Sequence, residues 1–317
     1  MFLSLKTLYR KRTVIWPFYF YTIIRTLSTK ARDSIGNHIK RSKSLETKEV
    51  RRVSIYASSL VYKNRGKEMK ELLKPVFRSI LSKREIVLFL ICMIYPLITA
   101  LVSIFQAGIA SYAEGEQISF IMFWQIIVHT QWQLTIPTLL LSYSVMSVFR
   151  NEISSKRLFL FKDIEKPLIF KAKIYNLMKI LGIFIIGTFI TSFICYYVFI
   201  LPHNYISGHF FPSSPQSLSH HLLIILARIA VYVIVILLVA NLSIRYNVAA
   251  SVLGGVLFML FSNVAPQLSL GKFLFPTGYA ELGGSTLFAV FGLIFISGVY
   301  CCTFYYLGMR AFEKIEY

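Results

Sequence analysis

The chain has 317 residues, of which 56% are hydrophobic and only 15% are charged. Soluble globular domains carry about 25% charged residues, so this composition excludes an ordinary soluble domain and favours a membrane protein. Several uncharged runs reach about 20 residues, the length that a helix needs to cross about 30 Å of hydrocarbon.

The net charge of +20 is concentrated near the N-terminus, because residues 1–84 hold 21 of the 34 lysines and arginines and only 5 acids. No nucleic-acid-binding motif accompanies these charges, so we expect contact with anionic membrane lipid and no nucleic-acid partner. The four cysteines lie in apolar runs and predict no disulfide framework.

Residues 1–68 are predicted to form a basic N-terminal extension that is largely disordered or lies on the membrane surface. A second interpretation stays open, in which translation begins at Met69, because the sequence from there begins like the cytoplasmic start of a membrane protein. Residues 69–317 are predicted to form one transmembrane domain.

Apolar residues recur at helical spacing from Leu72 to Leu81, and lysines and arginines occupy the other faces. This pattern predicts an amphipathic interfacial helix before the first span. Proline suits the first turn of a helix, so its regular part is expected to begin at Pro75.

The apolar runs predict an all-α polytopic membrane protein with six transmembrane helices. Their approximate positions are Ile86–Gln106, within Gln117–Phe149, Ile180–Leu201, Leu222–Ile244, Val248–Pro266 and Thr286–Met309. Gly254 and Gly255 are expected to permit close helix contact in the fifth span. The segment Gln267–Ser285 is expected at the interface, or partly re-entrant.

Polar residues within the predicted spans are candidates for a translocation path, because such groups are costly at membrane depth unless they face protein or water. These residues are Gln125, His129, Gln133 and Arg228. The second span has an alternative, an interfacial start before a shorter span. Two placements are open for Arg228. It extends to the headgroups, which is favoured because no neighbouring span carries an acid, or it faces a carbonyl or an anionic substrate inside the bundle.

Lysines and arginines predict the orientation of the spans. They occur before the first span, in the segment Arg150–Lys173, in the link after the fourth span and in the C-terminal tail, whereas the three other loops contain only Lys272. By the positive-inside rule both termini are cytoplasmic, and the protein is expected in the plasma membrane.

The segment Arg150–Lys173 therefore lies in the cytoplasm between the second and third spans, and we expect a short helix there that turns into the next helix at Pro167. The segment resembles the loop through which permeases of the type-2 ABC exporter class touch their ATPase. The matching residues are Glu152, Ser154, Leu158, Leu160, Lys166, Ile169 and Lys173. Ser154 stands where the family usually has glycine, and Asp163 where it commonly has proline.

This resemblance covers residues 70–317 and implies the membrane-spanning permease subunit of an ATP-driven exporter, similar to those that export bacitracin-like or lantibiotic peptides. It implies an ABC ATPase partner, a homodimer or a second permease, and ATPase-coupling roles for Glu152, Lys156, Arg157, Leu158, Leu160, Lys166 and Pro167. No catalytic residue, cofactor or metal is expected, because the sequence lacks a Gly-x-x-x-x-Gly-Lys-Ser/Thr loop and intramembrane acids. The alternatives are a non-transporting sensor or immunity protein and a secondary transporter.

Overall fold

The computed structural model describes residues 65–105, 117–154, 164–203, 206–268, 271–281 and 286–315. These residues belong to one compact unit, Leu60–Tyr317. They are helical apart from turns, short connections and one isolated bridge between Ile118 and Ile206. The predicted N-terminal extension lies outside the described residues except for its last four.

The first helix, α1, spans Arg65–Leu81 and contains Pro75 in its interior. The prediction that the regular helix begins at this proline is therefore wrong. A proline in a helix interior removes one backbone hydrogen bond, and tertiary contacts hold this helix in place: Leu72 and Ile80 are buried, and Asn176 Nδ2 donates to the Leu73 carbonyl oxygen at 3.1 Å.

The first apolar run forms α2 (Arg84–Ile91), a 3-10 turn (Cys92–Ile94) and α3 (Tyr95–Phe105). The irregular turn ends two residues before Pro96, which lacks the N–H that a continuous α-helix would need there. Together these elements include a stretch, Arg84–Leu101, that is long and apolar enough to cross a membrane.

The second apolar run forms two helices, α4 (Phe120–Gln133) and α5 (Ile136–Ser154), which meet at an angle of 64°. Ser119 caps the first of them by accepting a hydrogen bond from the Met122 N–H at 3.4 Å. Thr135, in the break, has a φ of 59°, a left-handed conformation that a β-branched residue rarely adopts.

Two long helices follow. Helix α6 spans Lys166–Cys195 and continues as a π-helical turn to Ile200, and α7 spans Pro215–Arg245. Pro167 lies in the first turn of α6, as predicted. The helix begins 14 residues before the predicted third span, because the charged residues ahead of Ile180 continue the same helix.

Helix α8 spans Val248–Val264, and the Asn247 side chain accepts from the Ala250 N–H at its start. The predicted close contact at Gly255 is confirmed: a Cβ atom there would lie 2.5 Å from both Ser142 Oγ on α5 and Val239 Cγ2 on α7.

Two short helices, α9 (Gly271–Leu274) and α10 (Pro276–Ala280), occupy the segment before the last helix, α11 (Thr286–Glu313). Thr277 is buried, and its hydroxyl lies 3.0 Å from Ser262 Oγ and 2.5 Å from the Ser262 carbonyl oxygen. This segment therefore packs back against α8.

The described part of the chain has five helices long and apolar enough to cross a membrane, or six if the bent α4–α5 pair is one span, which is the pattern of a multi-pass membrane protein. The most apolar stretch of α7 is 61% buried, compared with 11% for α11. Helix α7 is therefore the central helix, and α11 exposes large apolar side chains such as Phe291 and Phe295.

Candidate functional site

Charged side chains meet at the end of the bundle where α5 ends and α6 begins. Glu152 lies near the C-terminal end of α5, Lys173 lies two turns into α6, and Lys83 lies in the short link between α1 and α2. We call these three residues the lysine–glutamate cluster.

Lys173 is the most deeply buried charge of the cluster. It is 2% exposed, and its Nζ atom lies 2.6 Å from Glu152 Oε2 and 3.2 Å from the Val148 carbonyl oxygen. The centroids of the Phe149 and Phe312 rings lie 5.3 and 5.7 Å from the same atom. A buried ammonium group is tolerated only when it is paired and hydrogen-bonded, and Glu152 provides the counter-charge.

Lys83 approaches the same carboxylate from the other side. Its Nζ atom donates to the Ser147 carbonyl oxygen at 2.8 Å and lies 3.7 Å from Glu152 Oε1. Both lysines thus lie near the C-terminal end of α5, where the helix dipole favours positive charge. The cluster fastens this end of α5 to α6 and to the start of the first span.

Lys166 connects the start of α6 to the end of α11. Its Nζ atom donates to the carbonyl oxygens of Glu313, at 3.2 Å, and Ile315, at 2.5 Å. Because Phe312 also covers Lys173, the C-terminal end of α11 contacts both Lys166 and Lys173 on α6.

The predicted ATPase-coupling residues divide into two groups. Glu152, Lys166 and Pro167 lie at this end of the bundle, at the ends of α5 and α6. The other four lie outside the described residues: Lys156, Arg157, Leu158 and Leu160. Sequence analysis missed Lys83 as a partner of Glu152, because an ion pair between residues far apart in the chain leaves no local pattern.

A second polar group surrounds Arg228 in α7. Its Nη1 atom donates to Asn263 Oδ1 at 2.8 Å, and its guanidinium carbon lies 5.3 Å from the centroid of the Trp132 ring. Trp132 Nε1 donates to the same asparagine oxygen. We call Trp132, Arg228 and Asn263 the arginine cluster. Arg228 is only 5% exposed, so it lies inside the bundle and not in the favoured headgroup placement.

The charge of Arg228 has neutral hydrogen-bond and ring partners. Within the part of the chain that the structure describes, no carboxylate forms a salt bridge with this arginine. Glu281, exposed at the end of α10, and His129 on α4 are close enough to interact with it electrostatically.

The arginine cluster lies beside the break between α4 and α5. Trp132 is the second-to-last residue of α4, and the left-handed Thr135 lies three residues after it. Arg228 lies six residues after Leu222, where the apolar run of α7 begins, so its backbone is about 9 Å along the helix from that point.

The other predicted path residues are not all buried. Gln125 and His129 are half-buried and Gln133 is exposed, and His129 Nε2 lies 3.5 Å from Gln133 Nε2. Gln131 is 3% exposed, and it connects α4 to the first span by donating to the Cys92 carbonyl oxygen at 3.0 Å. Trp132 and Asn263 were missed, because neither carries a charge that would single it out in an apolar run.

A cavity of about 20 Å³ lies between α4, α6 and α7, with Gln131, Thr188 and Tyr232 among its lining residues. This volume has room for about one water molecule and not for a cargo molecule. This cavity is therefore not a passage for cargo through a single chain.

Comparison of the chain with protein-family models, with curated proteins and with solved structures found no match in any of the three. The functional interpretation below therefore rests on the residues of this chain.

Proposed function

We propose that the chain is the membrane-spanning permease subunit of a type-2 ABC exporter, driven by an ATPase on a separate chain. The lysine–glutamate cluster carries this proposal. Glu152 lies near the start of the segment Arg150–Lys173, which resembles an ATPase-contacting loop, and ion pairs join it to Lys83 and Lys173. A displacement of that segment by a soluble partner is therefore passed to α5, α6 and the start of the first span.

The proposed topology has six spans, with α4 and α5 counted as one bent span and α1 as an interfacial helix. Helix α1 supports its part of the proposal, because Leu72 and Ile80 are buried while Lys74 and Arg78 are exposed. By the positive-inside rule both termini lie in the cytoplasm and the protein lies in the plasma membrane. The lysine–glutamate cluster is then cytoplasmic, and the arginine cluster lies in the outer half of the membrane.

In this mechanism two ATPase subunits close on ATP and push on the part of the segment from Glu152 to Lys166. The ion pairs transmit the movement to the spans, and a cavity between two permease copies opens outward to release a cargo such as an antimicrobial peptide. The cavity of about 20 Å³ between α4, α6 and α7 is too small for such a cargo, which favours a pathway between two copies.

The partner is tested by purifying the full-length protein from its native membranes in a mild detergent. Mass spectrometry of the captured proteins is expected to identify a soluble ATPase that carries a Gly-x-x-x-x-Gly-Lys-Ser/Thr loop. Recovery of the chain without such an ATPase contradicts the proposal and favours a non-transporting sensor or immunity protein.

Coupling is tested by measuring ATP hydrolysis of the purified complex, at a temperature where all variants are folded. Glu152→Gln keeps the size of the side chain but removes the ion pairs, so we expect an assembled complex with lower transport-linked hydrolysis. Glu313→Gln, at an exposed position at the end of α11, is the control. Unchanged hydrolysis in Glu152→Gln would assign coupling to another contact.

Orientation is tested with single cysteines in a variant that lacks Cys92, Cys195, Cys301 and Cys302. A membrane-impermeant maleimide added to intact cells is expected to label Ser213→Cys, before α7, and to label Tyr246→Cys, after α7, only once the cells are lysed. Both positions are exposed in the structure. The opposite labelling pattern contradicts the proposed orientation.

A further inference from the structure

We infer that the arginine cluster binds the oxyanion group, a carboxylate or a phosphate, of an amphipathic molecule, with Arg228 as the recognition residue. This inference deepens the proposed transport function and rests on it for the identification of the bound molecule as cargo. Binding itself is a property of this chain, and it can be measured without the ATPase.

The charge of Arg228 is the first argument, and Lys173 provides the comparison. Both cations are at least 95% buried. Lys173 has a carboxylate 2.6 Å from its Nζ atom, whereas the hydrogen-bond and ring contacts described for Arg228 are a neutral amide and an indole ring. Glu281 interacts with Arg228 electrostatically, but among the described residues it forms no salt bridge with it. A buried charge without a contacting carboxylate retains a large desolvation cost, which an anionic ligand offsets.

The orientation of the guanidinium group is the second argument. Asn263 Oδ1 accepts from both Trp132 and Arg228, so it fixes the guanidinium group beside the indole ring. Among the described residues, the hydrogen bond of the guanidinium group is the one from Arg228 Nη1 to Asn263. The remaining N–H groups form the planar fork that matches a carboxylate or phosphate, and their orientation is set before the ligand arrives.

The surroundings indicate an amphipathic ligand. Leu134 and Ile136, on either side of Thr135 in the helix break, are 44% and 58% exposed, and Arg228 is about 9 Å from the start of the apolar run of α7. A ligand that enters sideways from the bilayer can place its charged group at Arg228 and its apolar part along this break. A small hydrophilic anion has no apolar part to place along the break, so it makes only the contact with Arg228.

Tryptophan fluorescence tests the site directly. The chain has three tryptophans, Trp16, Trp124 and Trp132, so Trp16→Phe combined with Trp124→Phe leaves only the ring that contacts Arg228. This full-length variant is purified in dodecyl maltoside, which has no anionic group, and is titrated separately with inorganic phosphate and with phosphatidylglycerol. We expect a saturable change in Trp132 emission, at lower concentrations of the lipid than of phosphate.

Saturation by phosphate alone would overturn the amphipathic part of the inference, and no saturable change with either probe would overturn the site. Arg228→Gln is expected to raise the concentration at half-saturation about tenfold or more, because at least one charge-assisted hydrogen bond to the ligand is lost. Arg245→Gln, at an exposed position at the other end of α7, is the matched control and is expected to leave the response unchanged.

Asn263→Asp keeps the result interpretable if Arg228→Gln does not fold. It retains an oxygen for Trp132 and Arg228 while adding a carboxylate, so we expect a folded protein that no longer responds to either probe. An unchanged response in both variants overturns the inference. Anion binding without ATPase capture would support the anion site and contradict the transport proposal. ATPase capture without anion binding would support the transport proposal and contradict the anion site.

Discussion

Glu152 and Lys173 form an ion pair of 2.6 Å between α5 and α6, in which the lysine is 2% exposed. Removal of one partner of a buried ion pair leaves an uncompensated charge. We therefore expect Glu152→Gln to lower the free energy of unfolding by about 3 kcal/mol, measured by thermal or denaturant unfolding of the detergent-solubilised protein.

A second substitution separates this charge effect from a general loss of packing. Lys173→Met in the Glu152→Gln background is expected to recover much of the lost stability, because no buried charge then remains unpaired. Lys171→Met, at an exposed position on the same helix, is expected to change the stability by less than about 0.5 kcal/mol. Equal losses for Lys171→Met and Lys173→Met would contradict the assignment.

Gly255 is expected to tolerate no side chain. A Cβ atom there would lie 2.5 Å from Val239 Cγ2, on a branched side chain of the buried helix α7. Gly255→Ala should therefore separate α8 from α7 and lower the melting temperature, at a cost of about 1 to 3 kcal/mol. Gly298→Ala is the control, since a Cβ atom at Gly298 has no neighbour within 4 Å. A stable Gly255→Ala protein would show that this helix contact is looser than described.

Thr135 is expected to be strained. Its φ of 59° lies in the left-handed region, where a β-branched residue costs about 1 to 2 kcal/mol. Thr135→Gly should raise the thermal stability of the protein, by up to about 1 kcal/mol. Thr130→Gly, within the regular part of α4, should lower it by a similar amount, because glycine disfavours a helix interior. Changes of the same sign in both variants would argue against strain at the break.

Lys166 is expected to order the C-terminal end of α11. Lys166→Met removes the donor to the Glu313 and Ile315 carbonyl oxygens, and a charge-assisted hydrogen bond contributes about 1.5 kcal/mol or more when protected from water. Amide hydrogen exchange near Phe312 should accelerate about tenfold or more. Lys314→Met, which changes an exposed side chain beside the same contact, should leave the exchange rate unchanged.

Length and absence of charge were enough to predict the long helices α7 and α11, and Pro167 correctly marked the first turn of α6. Pro75 misled the prediction of α1, because packing against α6 overrides the preference of proline for a first turn. The break at Thr135 has a sequence signal in Pro137, which lies in the first turn of α5, where proline favours the start of a new helix. Its angle, however, depends on tertiary contacts.

Both candidate clusters depend on contacts between residues that are distant in the sequence. Arg228 stood out as a charge in an apolar run, but nothing near it in the sequence indicates Asn263 or Trp132 as partners. Glu152 was found through a resemblance that says nothing about Lys83. Sequence patterns named Glu152 and Lys173 in one cluster and Arg228 in the other. Only the packing of the helices identified Lys83, Trp132 and Asn263 as their partners.

The covering of Lys173 by Phe312 has a consequence for biosynthesis. A ribosome makes Lys83, Glu152 and Lys173 long before the last helix, so the ion pair can form while α11 is still unmade. The Phe149 ring is already present at that stage, whereas the second covering ring, Phe312, and the acceptors of Lys166 arrive only with residues 312–315. Membrane insertion of α11 therefore completes a site whose charges are already neutralised, and the late step in assembly is the exclusion of water from that site.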